Sequence, residues 1–125
     1  MNRDEFIAYT EETYSVTAEH PFPDDTVTTV FRHSENRKWF AIVMTIPKSK
    51  LGLSADGMID VVNVKCDPEV IYSFHSEPGM YPAYHMNKRH WITAALDGTA
   101  EEEKIKWLLE ISYDLTGIKR KNNKK

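Results

Sequence analysis

The chain predicts an α+β domain: an antiparallel β-sheet with an N-terminal and a C-terminal helix packed on one of its faces. Three observations carry this reading. Amphipathic helical periods stand at the two ends of the sequence. Apolar runs that alternate with period two lie between them. A single short helical segment, opened by Asp67-Pro68-Glu69, interrupts those runs, so the order is helix, strands, short helix, strand or strands, helix.

Asn2 with Glu5 three residues on has the pattern of a capping box and opens the first helix. On a helical wheel Phe6, Ile7, Thr10, Thr13 and Tyr14 share one side, and Asp4, Glu5, Ala8, Glu11 and Glu12 the other, as far as about Ser15. His20-Pro21-Phe22-Pro23 excludes helix. The β-branched and aromatic run Thr26 to Arg32 predicts a strand, Ser34-Glu35-Asn36-Arg37 a turn, and Lys38 to Ile46 a second strand paired with the first as a hairpin. Strict alternation puts Phe40, Ile42, Met44 and Ile46 on one face and Trp39, Ala41, Val43 and Thr45 on the other.

A polar loop containing Pro47, Gly52 and Gly57 leads to a third strand, Met58 to Cys66, with Val62, Val64 and Cys66 inward and Asn63 and Lys65 outward. Asp67 is placed as a helix N-cap with Pro68 at the first helical position, and this short helix ends before Pro78-Gly79. The run His90 to Leu96 predicts a further strand, with His90, Ile92, Ala94 and Leu96 inward and Arg89, Trp91 and Thr93 outward. Thr99 with Glu102 is expected to form a second capping box. The last helix then runs to about Thr116, with Gly117 as its stop. Its wheel gives Ile105, Leu108, Leu109, Ile111 and Leu115 a wide apolar arc. One core is expected to bury Phe40, Ile42, Val62, Val64, Ile92, Leu96, Leu108 and Ile111.

With 125 residues, the chain has the length of one domain that needs neither disulfide nor metal to hold its core. Its single cysteine, Cys66, excludes an internal disulfide and suits a reducing compartment, and the N-terminus lacks the pattern of a signal peptide. No apolar run approaches the roughly 18 residues of a membrane span. A cytoplasmic protein with no membrane partner is therefore expected. The tail Lys119 to Lys125 holds five of the 16 cations. The remaining 11, set against 19 acids, leave a body near −8, which argues against a strong nucleic-acid footprint. The local exception is residues 31–50, where Arg32, Arg37, Lys38, Lys48 and Lys50 face only Glu35; a solvated hairpin is the plainer explanation of these charges.

Four segments together resemble the MmcQ/YjbR family: Asn63-Val64-Lys65-Cys66-Asp67-Pro68-Glu69, Tyr81-Pro82-Ala83-Tyr84-His85-Met86-Asn87-Lys88-Arg89-His90-Trp91, Leu96-Asp97-Gly98 and Ser112-Tyr113-Asp114-Leu115. They occur in the family's order over nearly the whole chain. The resemblance implies a fold similar to CyaY, the bacterial frataxin, over residues 1–118, followed by a basic tail at 119–125 that is expected to be disordered. It also implies a double-wing arrangement in which β-hairpins contact DNA. It supplies no catalytic residues and no cofactor.

Candidate nucleic-acid contacts are Arg37, Lys38, Lys65, Lys88, Arg89 and Trp91, because cations meet phosphates and rings stack on bases. Surface pairing of these cations with acids, and a Trp91 that merely covers apolar surface, is the structural alternative. Tyr84, His85, Asn87 and His90 form a motif turn, either structural or lining a pocket; Tyr84 and His85 are expected to fix it through side-chain to backbone bonds. His85 and His90 lie five apart with no completing Cys or carboxylate, so no metal site is assigned. The rival site is the acidic face Asp4, Glu5, Glu11 and Glu12, which would suit a cation, though such faces are usually only solvated. Neither Cys66 nor Ser112 has a nucleophile-elbow motif, so no catalytic residue is assigned. The leading reading is a small protein that binds DNA weakly and non-specifically, or binds a protein partner, through its hairpins. A frataxin-like metal carrier is the second reading, and an enzyme with a pocket not visible in the sequence is the third.

Overall fold

The computed structural model of the chain describes residues 1–118; the expected disorder of 119–125 lies outside the described residues. The elements are α1 (Arg3–Tyr14), β1 (Thr29–Arg32), β2 (Trp39–Pro47), a 3-10 turn (Lys48–Leu51), β3 (Met58–Lys65), α2 (Pro68–Phe74), β4 (Met80–Pro82), β5 (Trp91–Ala95) and α3 (Glu102–Thr116). The five strands form one sheet in the order β1-β2-β3-β5-β4, and every neighbouring pair is antiparallel. This is the α+β class that the pattern predicts.

All three helices contribute to one core on one side of the sheet. Phe6 from α1, Phe74 from α2, and Ile105, Leu108 and Leu109 from α3 pack with Val43, Val62, Val64, Ile92 and Ala94. The capping box at α1 forms as expected: Asn2 Oδ1 accepts the Glu5 amide at 2.8 Å, and Glu5 Oε1 accepts the Asn2 amide at 2.8 Å.

The expectation of a single core is corrected. The β1–β2 register runs from Phe31 opposite Ala41 to Arg32 opposite Trp39, skipping Phe40. This bulge adds one residue to β2, which breaks strict alternation and turns Phe40 to the helix side. Ile42 is buried but pairs with Asn63 on the opposite face. That face carries a second core of Ile46, Ile59, Val61 and Ala95, with Met44, Leu51, Leu53, Tyr81 and Tyr84 packed over it. Val62, Val64, Ile92, Leu96 and Leu108 join the helix-side core, and Ile111 is half-buried against it.

Two more expectations give way to short side-chain loops. Asp25 Oδ1 accepts the amides of Val27 and Thr28, each at 2.9 Å, which holds Thr26 to Thr28 in a turn and delays β1 to Thr29. Thr99 does not cap α3. Its amide and hydroxyl both donate to Asp97 Oδ1, at 3.0 and 2.6 Å, so the nearer carboxylate takes it and Glu101 becomes the N-cap.

The sheet edges are both short. Outside β1, Glu19 forms a bridge with Val30 through two backbone hydrogen bonds of 3.0 and 2.9 Å. On the other edge β4 has three residues and ends in Pro82.

At the end of α3, the Thr116 hydroxyl donates to the Ser112 carbonyl at 2.7 Å, so it must accept at 2.9 Å from a protonated Nε2 of His33. Gly117 ends the helix, as expected, with its Cα so close to His33 that a Cβ would stand 3.2 Å from the ring. Burial against Phe40 and Tyr113 lowers the His33 pKa. A depressed histidine favours the fold above the unfolded pKa of about 6.5, and that contribution is lost as pH falls through the lower folded pKa. Urea midpoints measured from pH 7.5 down to pH 5 should therefore fall below about pH 6.5, by less than about 1.4 kcal/mol per pH unit from this group. A His33→Gln chain should show a shallower decline; an equal slope would remove His33 as the cause.

Candidate functional site

The motif segment leaves the sheet at the end of β4 and returns at β5. Tyr81 pairs with Thr93 and Pro82 with Ile92, and the chain then crosses the face opposite the helices before Trp91 pairs with Lys65. A closed polar triangle fastens it. Asn63 Nδ2 donates to the Tyr84 carbonyl at 2.8 Å, the Tyr84 amide donates to Thr93 Oγ1 at 2.9 Å, and the Thr93 hydroxyl donates to Asn63 Oδ1. Asn63 and Thr93, expected to face outward, do lie on that face but are buried beneath the segment.

The turn itself differs from the expectation in detail. Tyr84 is held by its backbone, and its ring stacks on His85 at 4.0 Å, with His85 in the left-handed conformation at φ 58°. Asn87 Oδ1 accepts the Arg89 amide at 2.8 Å and its carbonyl accepts the His90 amide at 3.2 Å. His90 is exposed rather than inward. It ends this turn before β5 begins, and strand alternation applies only from Trp91 on. Its carbonyl accepts the Cys66 amide at 2.8 Å. Lys88 folds back so that Nζ donates to the Ala83 carbonyl at 2.8 Å.

Two clefts adjoin this segment. The larger, about 450 Å³, opens between α2 and the β4–β5 edge and is lined by Pro68, Ile71, Tyr72, Phe74, His75, Tyr81, Pro82, Lys88, Arg89 and Ile92. The smaller, about 310 Å³, lies between the 3-10 turn and the motif: Lys50, Leu51, Tyr81, Pro82, Ala83, Tyr84, His85 and Lys88. They share Tyr81, Pro82 and Lys88, and neither lining contains a carboxylate. Together they place Lys50, Lys88 and Arg89 among four aromatic residues and two histidines.

The candidate cations are thus divided. Lys88 and Arg89 line the clefts, while Lys65 and Trp91 are half-buried partners on adjacent strands. Arg37 and Lys38 lie in the β1–β2 hairpin, at the opposite edge of the sheet. The Arg37 guanidinium pairs with Glu19 at 3.1 Å, and Glu19 also pairs with Arg32 at 3.0 Å, so one carboxylate is shared by two cations and Arg37 is already engaged. Tyr72 and His75 are missing from the sequence reading. Their cleft exists only because α2 packs beside β4, and a seven-residue helix gives too short a wheel to assign faces. Their one sequence trace is two rings three apart at the end of a short helix.

The other candidate chemistry is less developed. On α1, Glu5 is engaged in the capping box, and Glu11 Oε2 accepts the Ala18 amide at 2.9 Å. Among the described residues no three His, Cys, Asp or Glu side chains converge to hold an ion. Cys66 is buried, and burial pushes its thiol up to about 11, far from a reactive thiolate. Among the described residues no helix is long and apolar enough to cross a membrane.

A five-stranded antiparallel sheet with its helices on one side and a motif segment clamped to the other defines a small α+β protein with a cationic, aromatic groove. A sequence profile of the family described as YjbR matches residues 11–115, and the chain belongs to that family. The uncharacterised protein YyaQ of Bacillus subtilis is 34% identical over 116 residues, which cover 93% of this chain and 98% of YyaQ. A crystal structure of a Pseudomonas syringae protein superposes with a TM-score of 0.90 at 44% identity, covering 94% of this chain and 100% of that one. A Deinococcus radiodurans protein with a DUF419 domain superposes with a TM-score of 0.66 at 28% identity, covering 91% and 77% of the two chains.

Proposed function

We propose that the chain binds nucleic acid weakly and with little sequence preference, through the groove around residues 81–91. One observation carries this reading. Although the body is acidic overall, two adjoining clefts gather three cations among aromatic and imidazole rings, of which Tyr72, His75 and His85 are exposed, and exclude every carboxylate. Fixed cations contact phosphates, and rings stack on bases of any sequence. The β1–β2 hairpin, expected to act as a wing, is secondary here, because Arg37 is already paired with Glu19.

Affinity should fall near 10⁻⁴ to 10⁻⁶ M at moderate salt, the range of non-specific binding. Fluorescence anisotropy with a labelled oligonucleotide across a salt series tests this on four chains: the full chain, a chain ending at Ile118, Lys88→Glu with Arg89→Glu, and Arg37→Glu with Lys38→Glu. The Lys88/Arg89 reversal should weaken binding at least about tenfold and lower the salt slope by about two. The Arg37/Lys38 reversal should do less. The reading fails if removing the tail abolishes all binding and the Lys88/Arg89 reversal changes nothing; a protein partner would then be the better assignment.

A further inference from the structure

We infer that the larger cleft is a base pocket, taking one unstacked nucleobase from a single strand while the flanking phosphates meet Lys88 and Arg89. This inference rests on the nucleic-acid reading and specifies which form of nucleic acid the site selects.

Shape and chemistry both point that way. The cleft has about 450 Å³ of space and apolar walls from Pro68, Ile71, Phe74 and Ile92. That volume suits a small planar group rather than a helix or strand. At its mouth Tyr72 is 77% exposed, and its ring stacks with His75 at 5.5 Å and 28°. Neither ring is held in the core, so the pair stands free to take a third ring. Trp107 of α3, 49% exposed, meets Phe74 edge-on at 5.7 Å and extends the aromatic surface beyond the cleft.

The cations complete the fit. An ammonium has three donors, and the Ala83 carbonyl accepts one from Lys88, which fixes Nζ at the rim with two left for an anion. Arg89 adds a guanidinium that can grip phosphate with two parallel bonds. An occupant is therefore planar in one part and anionic in another. A paired base in a duplex keeps its faces stacked and could enter only by being flipped out, whereas a single strand offers its bases freely.

The test compares a 15-nucleotide oligo-dT strand with a duplex of equal length, by anisotropy at one fixed salt concentration, for the native chain, Tyr72→Ala and Tyr72→Phe. The native chain should bind the single strand at least about tenfold more tightly than the duplex. Tyr72→Ala should lose about five- to a hundredfold in single-strand affinity with little change for the duplex, and Tyr72→Phe should retain most of it. Because Tyr72 is exposed, thermal melts of the three chains should agree, separating loss of binding from loss of fold. Equal or tighter binding of the duplex, or unchanged single-strand affinity in Tyr72→Ala, overturns the base pocket. If the Lys88/Arg89 reversal still weakens binding in that case, nucleic-acid binding stands without the pocket. If neither strand binds the native chain, both readings fall.

Discussion

Replacing Phe40 with alanine should lower the unfolding free energy by about 3–5 kcal/mol. The ring is fully buried and is surrounded by four others. It meets Tyr113 at 4.9 Å, His33 at 5.2 Å, Tyr14 at 5.6 Å and Phe31 at 6.2 Å. These neighbours come from α3, the hairpin turn, α1 and β1, so they cannot collapse together into the space left behind. Guanidinium unfolding read by circular dichroism would measure the loss. A loss below about 1 kcal/mol would mean that the ring is not packed among these neighbours. The same experiment with Ile42→Ala should also destabilise, but by disturbing the second face.

The second large effect is expected at Ser112. Its side chain is buried, donates at 2.7 Å to the Phe40 carbonyl and accepts at 2.8 Å from the Lys65 amide. The β2–β3 ladder stops at Ile42–Asn63, and Phe40 and Lys65 stand further along that register, bridged by this hydroxyl instead of by each other. One hydroxyl from α3 therefore completes the backbone of two strands. Ser112→Ala strands both groups away from water and should cost about 2–6 kcal/mol, since each buried unpaired group costs roughly 1–3. Ser112→Thr, which keeps the hydroxyl, should recover part of this if the extra methyl is accommodated. A Ser112→Ala chain as stable as the native one, judged by its denaturant midpoint, would show that water reaches these groups.

Much of the fold was legible because its signals are local. The Asn2–Glu5 capping box, the Asp67-Pro68 helix start and the alternation of β3 each depend on a few neighbouring residues. The misses have a common cause: a competing contact, sometimes a neighbour and sometimes far along the chain, outweighs the pattern. Nothing in Trp39-Phe40-Ala41 announces a bulge; it is stabilised by aromatic partners up to 73 residues away and by Ser112. Thr99 has the right spacing for a cap, but Asp97 lies closer. His90 has the right parity to point inward, but its backbone is committed to the turn at Asn87 and to Cys66. The candidate site was half legible. The motif segment marks Lys88 and Arg89, while Tyr72 and His75 join them only through the packing of α2 beside β4.

The two edges of the sheet limit how this protein can assemble with others. An open strand edge invites a neighbour to add a further strand, either a peptide ligand or a second copy on the way to an aggregate. Here the outer side of β1 is occupied at Val30 by Glu19 of the same chain. The β4 edge offers three residues, of which Pro82 has no amide hydrogen to give. Partners are thereby steered away from the backbone and toward side chains, and the chain can display an apolar, ring-lined groove without inviting its own copies to polymerise along the sheet.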